Sequence, residues 1–256
     1  MDPIELTRIL DALDRAESSA IGIPTLSSRH CGLSVDDAWA VARGRDQRRA
    51  ARGEVRVGYK LGWTSAAMRQ ALGIDQPNYG SLWSQMATDG TLSMATRIHP
   101  KAEPEFAYRP LRDLAGDDIT AEEVAEAGEW AVSLEVVDPR WNSYGFTFAD
   151  NTADGSSAAA YAIGEFRSID VAPEELRLTM RIDGDEERSA TGADVFDSPA
   201  ESVAFLVQSL AAENTPLRAG MIVLTGGATA PVDLKVGMVL EVESPELGAC
   251  RLEMVP

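Results

Sequence analysis

Cysteine is nearly absent from this chain. Its 256 residues include two, Cys31 and Cys250, with no C-x-x-C and no metal-type spacing. They read as ordinary thiols of a reducing compartment, not as a disulfide framework. Histidine is as scarce: His30 and His99 show no paired ligand spacing, and a zinc centre would be expected to recruit His or Cys. Basic residues are outnumbered, 23 Lys and Arg against 41 Asp and Glu, giving a net charge of −18. That argues against nucleic acid and against anionic membrane surfaces, which need a basic footprint. It leaves small anionic substrates open, because those answer to local charge. No apolar run approaches the ~18 residues of a membrane span. The opening "MDPIELTRIL" reads as an amphipathic helix and not as a signal peptide, so the expected location is cytoplasmic.

What is present suffices for a large core, with 45% hydrophobic residues. Helical periodicity runs over 3–17 and 34–52. Ser34 is placed as an N-cap, Asp36 and Asp37 fall in the first turn, Arg48, Arg49 and Arg52 lie near the end, and Gly53 is a stop. From Val55 the texture changes. "VRVGYKLGWTS" reads as a strand, "AAMRQALG" as a short helix and "IDQPNYG" as a turn. Strand-like runs follow at 104–109, 130–137, 157–163, 175–182, 220–225 and 238–242, with helices at 120–128 and 199–213. Irregular spacing excludes the strand–helix alternation of a doubly wound sheet. The reading is α+β: a helical N-terminal segment, 1–53, packed on a core, 54–256.

The most informative stretch is "EPEFAY". Successive strand residues alternate faces, so Glu103 and Glu105 share one. Two carboxylates side by side repel unless a shared proton, a basic partner or a bound cation neutralises them. Glu135 interrupts a second apolar strand, "AVSLEVVD". Each acid alone could be a surface residue. Three in strands that can pair match the ligand set of a hard divalent cation, Mg2+ or Mn2+. Lys60 in "GYKLGWTS" could be a snorkelling surface lysine or a site cation. "TGGATAPV" (225–232) allows close backbone approach to a ligand, or is an ordinary turn. "FADNTADGSS" (148–157) reads as a small polar loop of turn chemistry.

These motifs, in this order and with the lead-in "IPTLSSRHCGLSVDDAWAVA" and "IHPK" before the acid pair, resemble the fumarylacetoacetate hydrolase superfamily. The resemblance is nearest to the branch of 2-hydroxypentadienoate hydratases and 4-oxalocrotonate decarboxylases of aromatic meta-cleavage pathways, and runs from about Ile23 to the C-terminus. It implies a fold of layered, strongly bent sheets, a Mg2+ or Mn2+ site of Glu103, Glu105 and Glu135, and an active-site Lys60. It further implies substrate contacts at Thr64, Asn78, Asp154, Ser157, Thr225 and Gly226, a small anionic 2-oxo acid as substrate, and a homo-oligomer associating with a partner hydratase or decarboxylase. The His–Glu dyad of the carbon–carbon hydrolases is not evident, which argues against diketone hydrolysis.

Within the branch, hydratases carry an acid where Asn78 stands, "QPDFG" against "QPNYG". Asn cannot serve as general base. The flanks "IHPK", "RWNSYGF" and "TGGATA" lean the same way, although "ADGSS" departs from the "ADNAS" of both groups. The expectation is a metal-dependent decarboxylase of a 2-oxo-3-enedioate, with Asn78 hydrogen-bonding the departing carboxylate. The alternatives are a 2-hydroxypenta-2,4-dienoate hydratase, with Asp150 or Asp154 as base, and a non-catalytic assembly subunit.

Overall fold

Three helices lead the chain, and the two long ones each start where a side chain satisfies the first free amides. In the computed structural model, which describes residues 1–29, 32–65, 69–70 and 73–256, α1 spans Pro3–Ser19 with Asp2 accepting from the amides of Ile4 and Glu5. Helix α2 is the single turn Leu26–Arg29, and α3 runs Val35–Ala51 behind a capping box of Ser34 and Asp37. His30 and Cys31 lie outside the described residues, as does most of "AAMRQALG", the expected short helix.

The strands follow as β1 (Arg56–Gly62), β2 (Asn78–Trp83), β3 (Thr91–Ser93), β4 (Lys101–Pro110) and β5 (Gly128–Val137). Next come β6 (Ala158–Ile163), β7 (Arg177–Ile182), β8 (Asp185–Thr191), β9 (Ile222–Leu224) and β10 (Val232–Asp233). Last are β11 (Val239–Ser244) and β12 (Gly248–Val255). Helix α4 (Ala121–Glu126) precedes β5, α5 (Phe148–Ala153) precedes β6, and α6 (Pro199–Ala211) precedes β9. The α+β reading therefore holds. Two local readings need correction. Residues 148–153 form a helix and not a loop, begun by a capping box of Thr147 and Asp150. Asn78 opens β2 and does not sit in a turn.

One sheet has the order β2-β1-β9-β4-β5-β6, with β10 also paired to β4; the other runs β3-β12-β11-β7-β8. The β1–β9 pairing is parallel, with Lys60 opposite Leu224. Strands β11 and β12 pack on β5, burying Phe106, Val132, Leu134 and Val136 among Val242, Leu252 and Met254. The other face of β4 and β5 is small where it is apolar: Ala107 and Ala131 sit in a separate cluster with Leu224. The acids of β4 and β5 emerge on that second face. Helices α1 and α3 pack together through Leu10, Leu13 and Val41, which cluster with Trp141, and α3 rests on α5. No described helix is long and apolar enough to cross a membrane.

Candidate active site and its carboxylate cluster

Register assembles the acids. Strands β4 and β5 are antiparallel with Glu103 opposite Glu135 and Glu105 opposite Ser133. Directly opposed side chains start about 5 Å apart at Cβ, so the three carboxyls converge. One oxygen from each of Glu103, Glu105 and Glu135 lies within 4.8 Å of the others. Glu105 and Glu135 are fully buried, while Glu103 is half-buried and reaches the wall of a cavity of about 530 Å3.

Lys60 comes to the cluster from β1. It is 2% exposed, which settles it as an interior cation and not a snorkelling surface lysine. Its Nζ lies 3.0 Å from Glu135 Oε2 and donates a 3.0 Å hydrogen bond to the Ser156 carbonyl. Lys60 and Glu135 form a buried ion pair, while Glu135 Oε1 and Glu105 Oε1 are buried without a hydrogen-bond partner. Buried carboxylate oxygens without partners are costly. One ammonium against three carboxylates leaves an excess of negative charge, and the acidities respond. Burial first, then Glu135, pushes Glu103 up to about 7, against the pull of Lys60 and Lys101. Burial, Glu135 and Glu103 hold Glu105 well above the usual carboxylate range, and burial raises Glu135 against the opposing Lys60. Burial draws the Lys60 ammonium down, but the attraction of Glu135, Glu103 and Glu105 outweighs it, and its pKa is raised. Oxygen-only donors, unpartnered and converging, with an excess of negative charge fit a hard divalent cation.

"TGGATAPV" is the strip that closes the cluster. After β9 the chain continues beside β4, with Thr225 and Ala228 amides donating to the Phe106 and Pro104 carbonyls at 3.1 and 3.0 Å. Gly226 donates its amide to Glu105 Oε2 at 2.8 Å. It takes φ of +107°, and a Cβ there would meet Thr64 Oγ1 at 2.2 Å, so both conformation and space demand glycine.

The cavity wall adds residues to those expected. Thr64 and Ser157 line it. So do Trp63, Tyr144, Phe146, Asn151 and Ser156, none of them singled out by the sequence. Trp63 and Phe146 meet edge to face at 6.4 Å between ring centroids. Asn151 is a hub. Its Oδ1 accepts from Trp63 Nε1 at 2.8 Å and from Asn78 Nδ2 at 2.9 Å, and its Nδ2 donates to Ser157 Oγ at 3.0 Å.

Four expected substrate contacts stand behind the wall instead. Asn78 is fully buried; its amide donates to Asn151 and Thr152 at 2.9 Å each, and its Oδ1 accepts from Ser156 Oγ at 3.0 Å. Its donors are therefore committed to the protein, and the expected bond to a departing carboxylate is replaced by support of Ser156 and Asn151. Asp154 pairs with Arg45 and Arg140 at 3.1 and 2.6 Å. Thr225 Oγ1 donates to the Phe106 carbonyl at 2.9 Å, and Gly226 faces Glu105. The candidate bases of the hydratase alternative are committed too. Asp150 accepts from Thr147 and from both the amide and hydroxyl of Ser27, and Asp154 is held by its two arginines.

The Asn78 network carries a prediction. Asn78→Asp replaces a donor with an acceptor facing Asn151 Oδ1 and Thr152 Oγ1. Leaving such buried groups unpaired costs about 1–3 kcal/mol. The variant should show a lower urea midpoint and no gain of dienoate hydration; a gain of hydration would mean that position 78 addresses substrate directly.

Comparison with known proteins agrees with this geometry. The family described as Fumarylacetoacetate (FAA) hydrolase C-terminal matches residues 110–255. The 2-keto-4-pentenoate hydratase of Paraburkholderia xenovorans is 30% identical over 260 residues, 99% of this chain and 96% of that protein. A 4-oxalocrotonate decarboxylase from a Pseudomonas species is 29% identical over 248 residues, 96% of each. Among solved structures, 4-oxalocrotonate decarboxylase from Pseudomonas putida G7, complexed with magnesium and adipate, superposes with a TM-score of 0.95 at 26% identity, covering 100% of this chain and 99% of that one. With the matched region spanning more than half the chain and relatives aligned along nearly all of it, this chain belongs to the fumarylacetoacetate hydrolase family, as an enzyme with hydratase and decarboxylase relatives.

Proposed function

We propose that the protein is a divalent-metal-dependent decarboxylase of a 2-oxo-3-enedioate, of the 2-oxo-3-hexenedioate type. The observation that carries this reading is the set of neutral groups beside Lys60; the carboxylate behind them, Asp154, meets Ser157 Oγ at 3.4 Å and is held by Arg45 and Arg140. Asn78, Asn151, Ser156 and Ser157 hydrogen-bond to one another, where a hydratase would need a carboxylate to deprotonate water. Among the described residues, the carboxylates on the cavity wall are Glu103 and Asp194, and Asp194 is engaged by the amide and hydroxyl of Thr191. The likeness to a decarboxylase complexed with magnesium and adipate, a six-carbon dicarboxylate, supports the same choice.

Glu103, Glu105 and Glu135 would hold the cation, Mg2+ or Mn2+. When bound it supplies Lewis-acid stabilisation of negative charge on the substrate's 2-oxo oxygen. The remaining work falls to this chain's residues. Breaking the C5–C6 bond releases CO2, and its electron pair forms C4=C5, shifts C3=C4 to C2=C3 and ends on that oxygen. Lys60 is the available N–H donor beside the cluster. It offers positive charge and a proton to that oxygen, so that the product leaves in its enol form, 2-hydroxypenta-2,4-dienoate. The rings of Trp63, Tyr144 and Phe146 give the planar conjugated chain an apolar wall and exclude water. A chain of net charge −18 makes such a local cation necessary for a dianionic substrate.

The deciding experiment offers protein and Mg2+ either 2-oxo-3-hexenedioate or 2-hydroxypenta-2,4-dienoate, following CO2 release and diene absorbance. CO2 from the diacid with little loss of the dienoate is expected. The names of the hydratase relatives favour the other outcome: rapid dienoate hydration with no CO2 would replace this reading with theirs.

A further inference from the structure

The backbone between α5 and β6 is strained where it meets the cavity. Gly155, Ser156 and Ser157 take φ of +65°, +54° and +59° in succession. Residues with a Cβ enter this region singly, so two serines in a row persist only when their surroundings hold them. Asn78 and Asn151 hold the two serine hydroxyls, the Asn151 carbonyl and the Asp138 amide hold their backbone, and a pair of guanidinium groups anchors Asp154, the residue before the turn. Arg45 Nη1 donates to the Asp154 carbonyl at 2.6 Å and to its Oδ1 at 3.1 Å. Arg140 Nε donates to Asp154 Oδ1 at 2.6 Å, its Nη2 to the Asp154 carbonyl at 2.5 Å, and its Nη1 to the Ala158 carbonyl on the far side of the turn at 3.0 Å. Asp154 is fully buried, and the arginines are 7% and 3% exposed. The carbonyl presented by this turn, that of Ser156, accepts the 3.0 Å hydrogen bond from Lys60 Nζ.

Arg45 belongs to α3, in the N-terminal helices, and is not part of the cavity wall. A flexible ammonium could neutralise Asp154, but only a rigid fork reaches a backbone carbonyl and a carboxylate together. We propose that Arg45 is a positioning residue: through Asp154 it fixes the left-handed turn at 155–157, and the turn's Ser156 carbonyl sets Lys60 Nζ beside Glu135. This rests on Lys60 being the group that serves the reaction. The N-terminal helices thereby take part in catalysis without touching substrate.

The test compares Arg45→Lys with Glu17→Gln. Glu17 holds Arg45 Nη2 at 3.0 Å and also pairs with Arg49, so its replacement disturbs the same buried charges and leaves Asp154 alone. The readouts are kcat and KM on whichever substrate the wild type converts, Mg2+ affinity by calorimetry, melting temperature, and amide exchange of residues 154–158 in metal-free protein. Arg45→Lys should lower kcat about tenfold or more, as displacement of a reacting group by ~1 Å does, while KM and Mg2+ affinity hold and exchange of 154–158 rises. Glu17→Gln should lower the melting temperature but keep wild-type kcat and exchange. Asp154→Asn repeats the comparison if Arg45→Lys does not fold. Wild-type kcat in Arg45→Lys, or equal losses in both variants, would overturn the proposal. A wild type that converts only the dienoate would end the decarboxylase reading, and the comparison would run on the dienoate.

Discussion

Glu105→Gln should yield a folded protein whose Mg2+ affinity is lower by a hundredfold or more and whose turnover is lost with it. The prediction follows from the two oxygens of Glu105. Oε2 accepts the Gly226 amide at 2.8 Å, and Oε1 has no partner. Gln keeps the first contact with its own oxygen and puts an NH2 where the free lone pairs were, so a donor faces the cation. Shape and packing survive, and the change acts on charge alone. Removing one of three crowded carboxylates also relieves repulsion, so the metal-free variant should melt above metal-free wild type. Added Mg2+ should raise the wild-type melting temperature, as any ligand of the native state does, and leave that of the variant unchanged. The wild type should carry a pH signature as well. Glu103 titrates at about 7 in the fold against 4.5 as its ordinary value. The folded state therefore retains a proton that the unfolded state has given up, and metal-free stability falls as pH rises from 4.5 towards 7. An equal Mg2+-dependent rise in melting temperature for both proteins would sink the metal site.

Lys60→Met should separate turnover from metal affinity. Turnover should fall by about 10²-fold or more, the loss seen when a charge-stabilising donor is removed from a reacting oxygen. Mg2+ affinity should hold or tighten, because the variant removes a cation 3.0 Å from Glu135 that repels the metal. Met keeps the unbranched stem in a site only 2% exposed, so packing is little changed. The metal-free variant should also be less stable, by about 3–5 kcal/mol, since its carboxylates lose their one interior counter-charge; purification in Mg2+ avoids this. Wild-type turnover in the variant would reduce Lys60 to a structural counter-ion.

The metal cluster was legible because strand chemistry is local. Alternation put Glu103 and Glu105 on one face, and an acid inside the apolar run 130–137 announced Glu135. The walls were not legible, for a physical reason. Trp63, Tyr144 and Phe146 come from irregular segments whose positions depend on distant partners, such as Asn151 for Trp63 and the His99 carbonyl for Tyr144. Helix α5 hides its burial: Asp150, Asn151 and Thr152 are interior, yet polar, so no apolar stripe marks them. Its capping box, Thr147 with Asp150, was the available signal. Asn78 shows the reverse error, since its residue type suggested a contact with substrate while its donors are spent on neighbours. Strand β12 was passed over, although it carries a period of two, with Cys250, Leu252 and Met254 buried and Arg251 turned outward.

The parallel pairing of β1 with β9 joins residues 58–60 to residues 222–224. In folding, β1 has to wait for a partner that lies far along the chain. Until then Lys60 lies on a strand open along one edge, and Glu105 lacks the Gly226 amide. The three carboxylates, by contrast, are brought together by β4 and β5 alone. Completing the active centre around Lys60 and Glu105 depends on the docking of β9 and the strip after it, and contacts this distant in sequence make that docking a slow step.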